Sequence, residues 1–299
     1  MNAPSTATLL AIALAWAITQ VACARAATPD ATPGADASIS DDDYAERMAI
    51  EHADDLPHAS GAGVTLVGDV AVVEDEVVYT TLDGQDIRGF LAAPIGAPPT
   101  AGVLVIHEWW GLNDNIREMT RGLAAEGYLA LAVDLYGGES AADPGEARPL
   151  MEAAFARVDW VHDNLRGARA YLSSAGIDHV GVIGWCFGGV FSLESAIVLG
   201  EDIAAAVVYY GRVETDPTRL ANLRAPVLGF FGGLDNGIPL EHLVAFEAAM
   251  IEAGAALELH LYPDADHAFA NPSGNRFRAD DANRAWRRTL EFFSTHLNP

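Results

Sequence analysis

One decapeptide limits the possible folds more than any other stretch: Val180-Gly181-Val182-Ile183-Gly184-Trp185-Cys186-Phe187-Gly188-Gly189. A β-branched apolar run stops at Gly184. A thiol follows two residues later, Gly188 two after that, and then an apolar stretch from Val190 to Leu199 that predicts a helix. G-x-C-x-G between a strand and a helix demands a tight turn. The flanking positions must be nearly free of side chains, and the bend lifts the sulfur above the end of a sheet. The first N–H groups of the helix then point at the sulfur, and the helix dipole favours thiolate over thiol. A small buried cysteine in a glycine-rich turn has the same local signature, so the rest of the chain must decide.

Apolar and amphipathic segments alternate on both sides of this turn. Val70 to Thr81 and Phe90 to Ala93 flank Asp83-Gly84, a strong hairpin signal, and predict two antiparallel strands at a sheet edge. Gly102 to Ile106, Tyr128 to Val133, Asp178 to Ile183, Ala204 to Tyr210, Val227 to Phe231 and Leu257 to Tyr262 predict further strands. Helices are predicted from Asn113 to about Glu126, from Met151 to about Ser173, from Leu240 to Ala253 and from Arg284 to His296, with a loop over 139–149. The pattern implies an α/β fold: a mostly parallel central sheet with helices on both faces.

A net charge of −25 argues against nucleic acid and anionic lipid as partners. Every basic residue is arginine. Residues 9–18 form an uncharged apolar run of signal-peptide length, and Ala22-Cys23-Ala24 and Ala24-Arg25-Ala26 offer cleavage-like spacing. The expectation is a signal peptide over 1–26, hence export to the periplasm or medium, with a cytoplasmic location if the segment is retained. Residues 27–62 read as an acidic, partly disordered extension, with a short helix over 44–55 whose charges form a solvated face; residues 63–299 form the α/β domain. Removal of Cys23 with the leader leaves Cys186 unpaired. No Cys/His cluster has zinc spacing, so neither a metal nor another cofactor is expected.

Three predicted strands end in a polar residue on a glycine- or proline-bracketed loop: Cys186, Asp235 and His267. Nucleophile, acid, histidine is the chain order of α/β-hydrolases, and strand carboxyl ends are where such sheets gather ligands. A thiol needs a base or a cation to ionise near neutrality. His267 would accept its proton, and Asp235 would hold the histidine tautomer. The backbone N–H of Phe187 and that of Trp109, on the loop after the Val103–Ile106 strand, are the candidate oxyanion donors. Glu108, at that same strand end, reads either as a charge facing the site or as a solvated loop carboxylate.

The chain also resembles the dienelactone hydrolases, cysteine-dependent α/β-hydrolases, from about Val70 to its C-terminus. The likeness is carried by His107-Glu108-Trp109-Trp110-Gly111, Asp134-Leu135-Tyr136, Gly184-Trp185-Cys186-Phe187-Gly188-Gly189, Gly233-Leu234-Asp235 and His267-Ala268-Phe269-Ala270. It implies Cys186, Asp235 and His267 as a triad, and Glu108 as a carboxylate that contacts the resting cysteine and helps to generate the thiolate. Dienelactone-cleaving members bind the substrate carboxylate with arginines; after Ala270 this chain has Asn271, with Arg148 near the second arginine position and Arg276 as a substitute. Trp110, Tyr136, Arg148, Phe269 and Asn271 are thus substrate-binding candidates. The expected activity is cofactor-independent hydrolysis of a small carboxylic ester or lactone through a thioester. The alternative is a non-catalytic thiol sensor or small-molecule-binding protein on the same scaffold.

Overall fold

The structure, a computed structural model, describes residues 38–55, 70–96 and 98–297. The proposed signal segment, residues 27–37 and residues 56–62 of the extension lie outside the described residues. The described residues fall within one compact unit, 37–299.

Eight strands form one sheet in the order β1-β2-β4-β3-β5-β6-β7-β8. They are β1 (Val72–Leu82), β2 (Gln85–Pro94), β3 (Ala101–Ile106), β4 (Leu129–Val133), β5 (His179–Trp185), β6 (Ala205–Tyr209), β7 (Val227–Gly232) and β8 (Leu257–Tyr262). β1 pairs antiparallel with β2, and β2 antiparallel with β4; every later pairing is parallel. The β1–β2 turn is Asp83-Gly84, both at positive φ (53° and 79°), as a two-residue hairpin demands. β3 to β7 are almost wholly buried, which matches their unbroken apolar sequences.

The helices are α1 (Asp41–Glu51), α2 (Asp114–Ala125), α3 (Pro144–Ala156), α4 (Val158–Ser174), α5 (Phe187–Leu199), α6 (Pro217–Leu220), α7 (Leu240–Ala253) and α8 (Ala279–Leu297). They cover both faces. Val103 pairs with Gly181, so Gly102 points the opposite way from Gly181. A Cβ on Gly102 would meet Leu172 of α4, whereas one on Gly181 would meet Phe293 of α8. No helix among the described residues is long and apolar enough to cross a membrane.

Three local expectations change. The 139–149 stretch is not all loop: Asp143 caps α3 by accepting from Glu146 N, and Pro144 takes the first-turn position that suits proline. The predicted helix from Met151 to Ser173 is two helices, broken at Arg157 (φ −120°, ψ 40°). The charges of 44–55 do not make a merely wet helix. Tyr44 and Met48 are fully buried, and His52 and Asp55 beyond the helix end are buried with them.

Helix α1 begins where local chemistry says it should. Ser40 accepts from Asp43 N at 3.1 Å, and three aspartates occupy the first turn. Two arginines distant in sequence hold its ends. Arg212 donates to Ile39 O at 2.6 Å and to Asp41 at 2.5 Å. Arg276 donates to Glu51 O, to Glu51 Oε2 at 3.0 Å and to Asp55 Oδ2 at 2.6 Å.

Candidate active site

The turn between β5 and α5 has the geometry its sequence demands. Cys186 is the N-cap of α5 with φ 54° and ψ −118°, a conformation rare for a residue with a side chain. The close approach is enforced by two glycines. A Cβ at Gly184 would lie 1.9 Å from Gly188 O, and one at Gly188 would lie 2.3 Å from Ile106 O. The Phe187 N–H opens the helix, among the donors that helix geometry leaves without an intrahelical acceptor. The sulfur itself has no solvent exposure.

Asp235 and His267 are carried on the loops after β7 and β8. His267 Nδ1 lies 2.8 Å from Asp235 Oδ2, and both side chains are completely buried. The other carboxylate oxygen accepts from Ile238 N at 2.9 Å, which fixes the Asp235 rotamer. His267 Nε2 is buried without a hydrogen-bond partner. A ring nitrogen of His267 and the Cys186 sulfur are among atoms that all lie within 4.8 Å of one another. The Asp235–His267 dyad is therefore assembled, with the Cys186 sulfur beside it. Burial disfavours the charged imidazole, but the Asp235 and Cys186 charges outweigh it and raise the His267 pKa well above its ordinary value.

The other neighbours of the sulfur come from α1 and the residue just after it. Sγ lies 3.6 Å from Met48 Sδ, 3.8 Å from Tyr44 Oη and 3.8 Å from His52 Nε2. His52 is itself anchored through Nδ1, 2.7 Å from Asp55 Oδ2. Burial lowers the His52 pKa, yet the Asp55 hydrogen bond and the nearby thiol raise it overall. Burial alone would raise the thiol pKa; His267 and His52 outweigh it and bring Cys186 down to about 5. The chain thus supplies two Asp–His pairs to one sulfur.

The Asp235–His267 pair is legible in the sequence as two strand-end residues, and the Asp55–His52 pair is not. The one signal near it is the spacing Tyr44, Met48, His52, a repeat of four residues that lays one stripe along a helix.

Glu108 does not hold the thiol by hydrogen bonding. Its Oε2 accepts from Asn271 Nδ2 at 2.5 Å and its Oε1 from Tyr210 Oη at 3.5 Å. Burial first, and then the negative sulfur, push its pKa up to about 8. At neutral pH it keeps its proton and adds no second negative charge beside the thiolate.

Trp109 is fully buried, its ring 4.7 Å from that of His52, and Trp110 packs edge-on against it at 4.9 Å. Tyr136 donates to Trp109 O at 3.1 Å and leans on Phe187 at 5.3 Å, so it orders the loop that carries the second oxyanion candidate. His107 ties the same loop from behind. Its Nε2 accepts from Leu135 N at 3.1 Å, which leaves Nδ1–H to donate to Glu108 O at 2.6 Å.

The substrate-binding candidates separate. Asn271 points at Glu108. Phe269 packs on Tyr210 (5.4 Å) and Tyr262 (5.0 Å) as a core residue. Arg148 is not brought to the site: it lies exposed on α3, paired with Glu152 at 2.7 Å one turn away. Arg276 is spent on the α1 terminus. Replacing Arg276 by alanine strands the carboxylates of Glu51 and Asp55, both nearly buried. A loss of about 3 kcal/mol is expected from breaking such a pair, read as a fall in urea midpoint at constant slope.

The model of the family described as "Dienelactone hydrolase family" matches residues 87–297. The chain belongs to the dienelactone hydrolase family. A Saccharolobus solfataricus relative named "Putative carboxymethylenebutenolidase" is 31% identical over 262 residues, covering 74% of this chain and 98% of that protein. An Escherichia coli K12 relative of the same name is 34% identical over 261 residues, covering 80% of this chain and 94% of that one. The solved Klebsiella pneumoniae structure described as "Putative Dienelactone Hydrolase" superposes with a TM-score of 0.68 at 28% identity, over 76% of this chain and all of that one. The dienelactone hydrolase fold and the α/β-hydrolase topology agree with the sheet order given above. This family member is a hydrolase of ester or lactone bonds.

Proposed function

We propose that the protein cleaves a small carboxylic ester or lactone through a thioester on Cys186, with His267 as acid and base and Asp235 as its anchor. The observation that carries this reading is the buried Asp235–His267 pair, 2.8 Å apart, beside the buried Cys186 sulfur. The thiolate attacks the carbonyl carbon, and the negative charge moves to the carbonyl oxygen. The N–H groups of Phe187 and Trp109 are assigned to that oxygen. Collapse breaks the acyl C–O bond as the His267 imidazolium gives its Nε2 proton to the leaving alkoxide. His267, now neutral, takes a proton from water; the hydroxide adds to the thioester, and the thiolate leaves with release of the acid.

The tryptophan pair and Tyr136 favour a small acyl group with an apolar side. With Asn271 directed to Glu108 and Arg148 on the surface, recognition of a substrate carboxylate by those two positions has no support, so neutral esters and lactones are the preferred class. Export, with the leader removed, is proposed on the sequence of residues 1–26 alone. The test is a panel of p-nitrophenyl esters and neutral lactones. Turnover in chelator-treated protein is expected. No turnover anywhere on the panel, together with rapid formation of a stable sulfenic acid at Cys186, would favour the thiol-sensor reading instead.

A further inference from the structure

A hydrolytic triad needs one imidazole and no thioether. This sulfur has two imidazoles and a thioether around it. Met48 Sδ is 3.6 Å away and His52 Nε2 3.8 Å away, and ring nitrogens of His52 and His267 lie with Sγ inside a common 4.8 Å. All four side chains are buried.

Each imidazole is gripped from behind by a carboxylate on Nδ1: Asp55 at 2.7 Å and Asp235 at 2.8 Å. In the neutral ring this leaves the Nε2 lone pair turned inward, the arrangement that orients nearly all metal-binding histidines. His267 Nε2 has no partner at all, although it is completely buried. Metal–nitrogen bonds of about 2.0 Å and metal–sulfur bonds of about 2.3 Å put tetrahedral ligand atoms roughly 3.3–3.8 Å apart. The two distances measured from the sulfur already lie in that range.

We propose that Met48, His52, Cys186 and His267 form a binding site for one soft transition-metal ion, with monovalent copper as the preferred occupant. Two imidazoles, one thiolate and one thioether are the donors soft copper selects, and they suit neither magnesium nor calcium. A single thiolate and Cu(I) leave the coordination sphere neutral, which costs least where no water reaches. On binding, protons still held by the thiol or the imidazoles are released to solvent. Copper and an acyl group need the same sulfur, so loaded protein is hydrolytically silent; this last point alone rests on the proposed function.

The test is anaerobic titration of chelator-stripped protein with Cu(I), in competition with bicinchoninate, and a parallel titration with Zn2+. One Cu(I) per chain is expected, held more tightly than zinc. Met48→Leu, which conserves volume, is expected to weaken copper about tenfold or more while leaving zinc unchanged. His52→Ala is expected to weaken copper about a hundredfold. His179→Ala, at an exposed position, should change nothing. Thermal unfolding of each variant separates lost binding from lost folding. Substoichiometric copper, tighter zinc, or a folded His52→Ala with wild-type affinity would overturn the proposal. Ester turnover by the stripped wild type is scored separately, so the metal site and the hydrolytic reading stand or fall independently.

Discussion

Cys186→Ala is expected to lower ester turnover by about 10³-fold or more while leaving the fold intact. Truncation of a nucleophile removes the covalent path altogether, and only binding and oxyanion stabilisation remain. The elbow itself depends on Gly184 and Gly188, not on the sulfur, so its backbone survives the change. Cys186→Ser keeps the atom count and also loses most activity. An alkoxide has no comparable pKa advantage, and the surroundings are tuned to a thiolate at about 5. Steady-state rates on a p-nitrophenyl ester, with circular dichroism as the check on folding, decide the matter. Wild-type rates in the alanine variant would remove the nucleophile from the account.

His267→Ala carries the second large effect, and it has a signature separate from turnover. Burial raises the thiol pKa, and the two histidines are what bring it down to about 5. Alkylation by iodoacetamide follows the thiolate fraction. In stripped wild type the rate should stay level from pH 8 towards pH 6 and decline only as the pH nears 5. Without His267 the pKa rises, the thiolate is protonated at higher pH, and the rate at pH 6 falls at least about tenfold. With His52 removed as well, the thiol returns to an ordinary value near 8.5 or above, and the fall at pH 6 becomes roughly several hundredfold. An unchanged alkylation profile in the double variant would mean that something else ionises this sulfur.

The parts legible from sequence were those with a local signature. The glycines around Cys186 announced their own turn, because only a missing Cβ permits the Gly184–Gly188 contact. Continuous apolar runs announced buried strands, and Asp235 and His267 were conspicuous as polar residues at strand ends. The contribution of α1 was not legible in the same way. Its residues meet Cys186, His267 and Arg276 across more than a hundred positions of chain, and the charged letters around Tyr44, Met48 and His52 looked like a solvated surface. The fate of the arginines was equally hidden, since only the fold shows Arg276 bound to Asp55 at 2.6 Å and Arg148 bound to Glu152 at 2.7 Å. Glu108 illustrates the same limit: its position in the strand-end motif was plain, but not that Asn271 and Tyr210 claim both of its oxygens.

The most direct measurement is intact and peptide mass spectrometry of stripped protein, acid-quenched within milliseconds of mixing with an activated ester. A single acyl increment on the peptide containing Cys186, lost on standing with hydroxylamine and missing from Cys186→Ala, is the predicted result. An acyl group on any other residue, or the same acyl increment persisting in Cys186→Ala, would contradict a covalent mechanism at this sulfur.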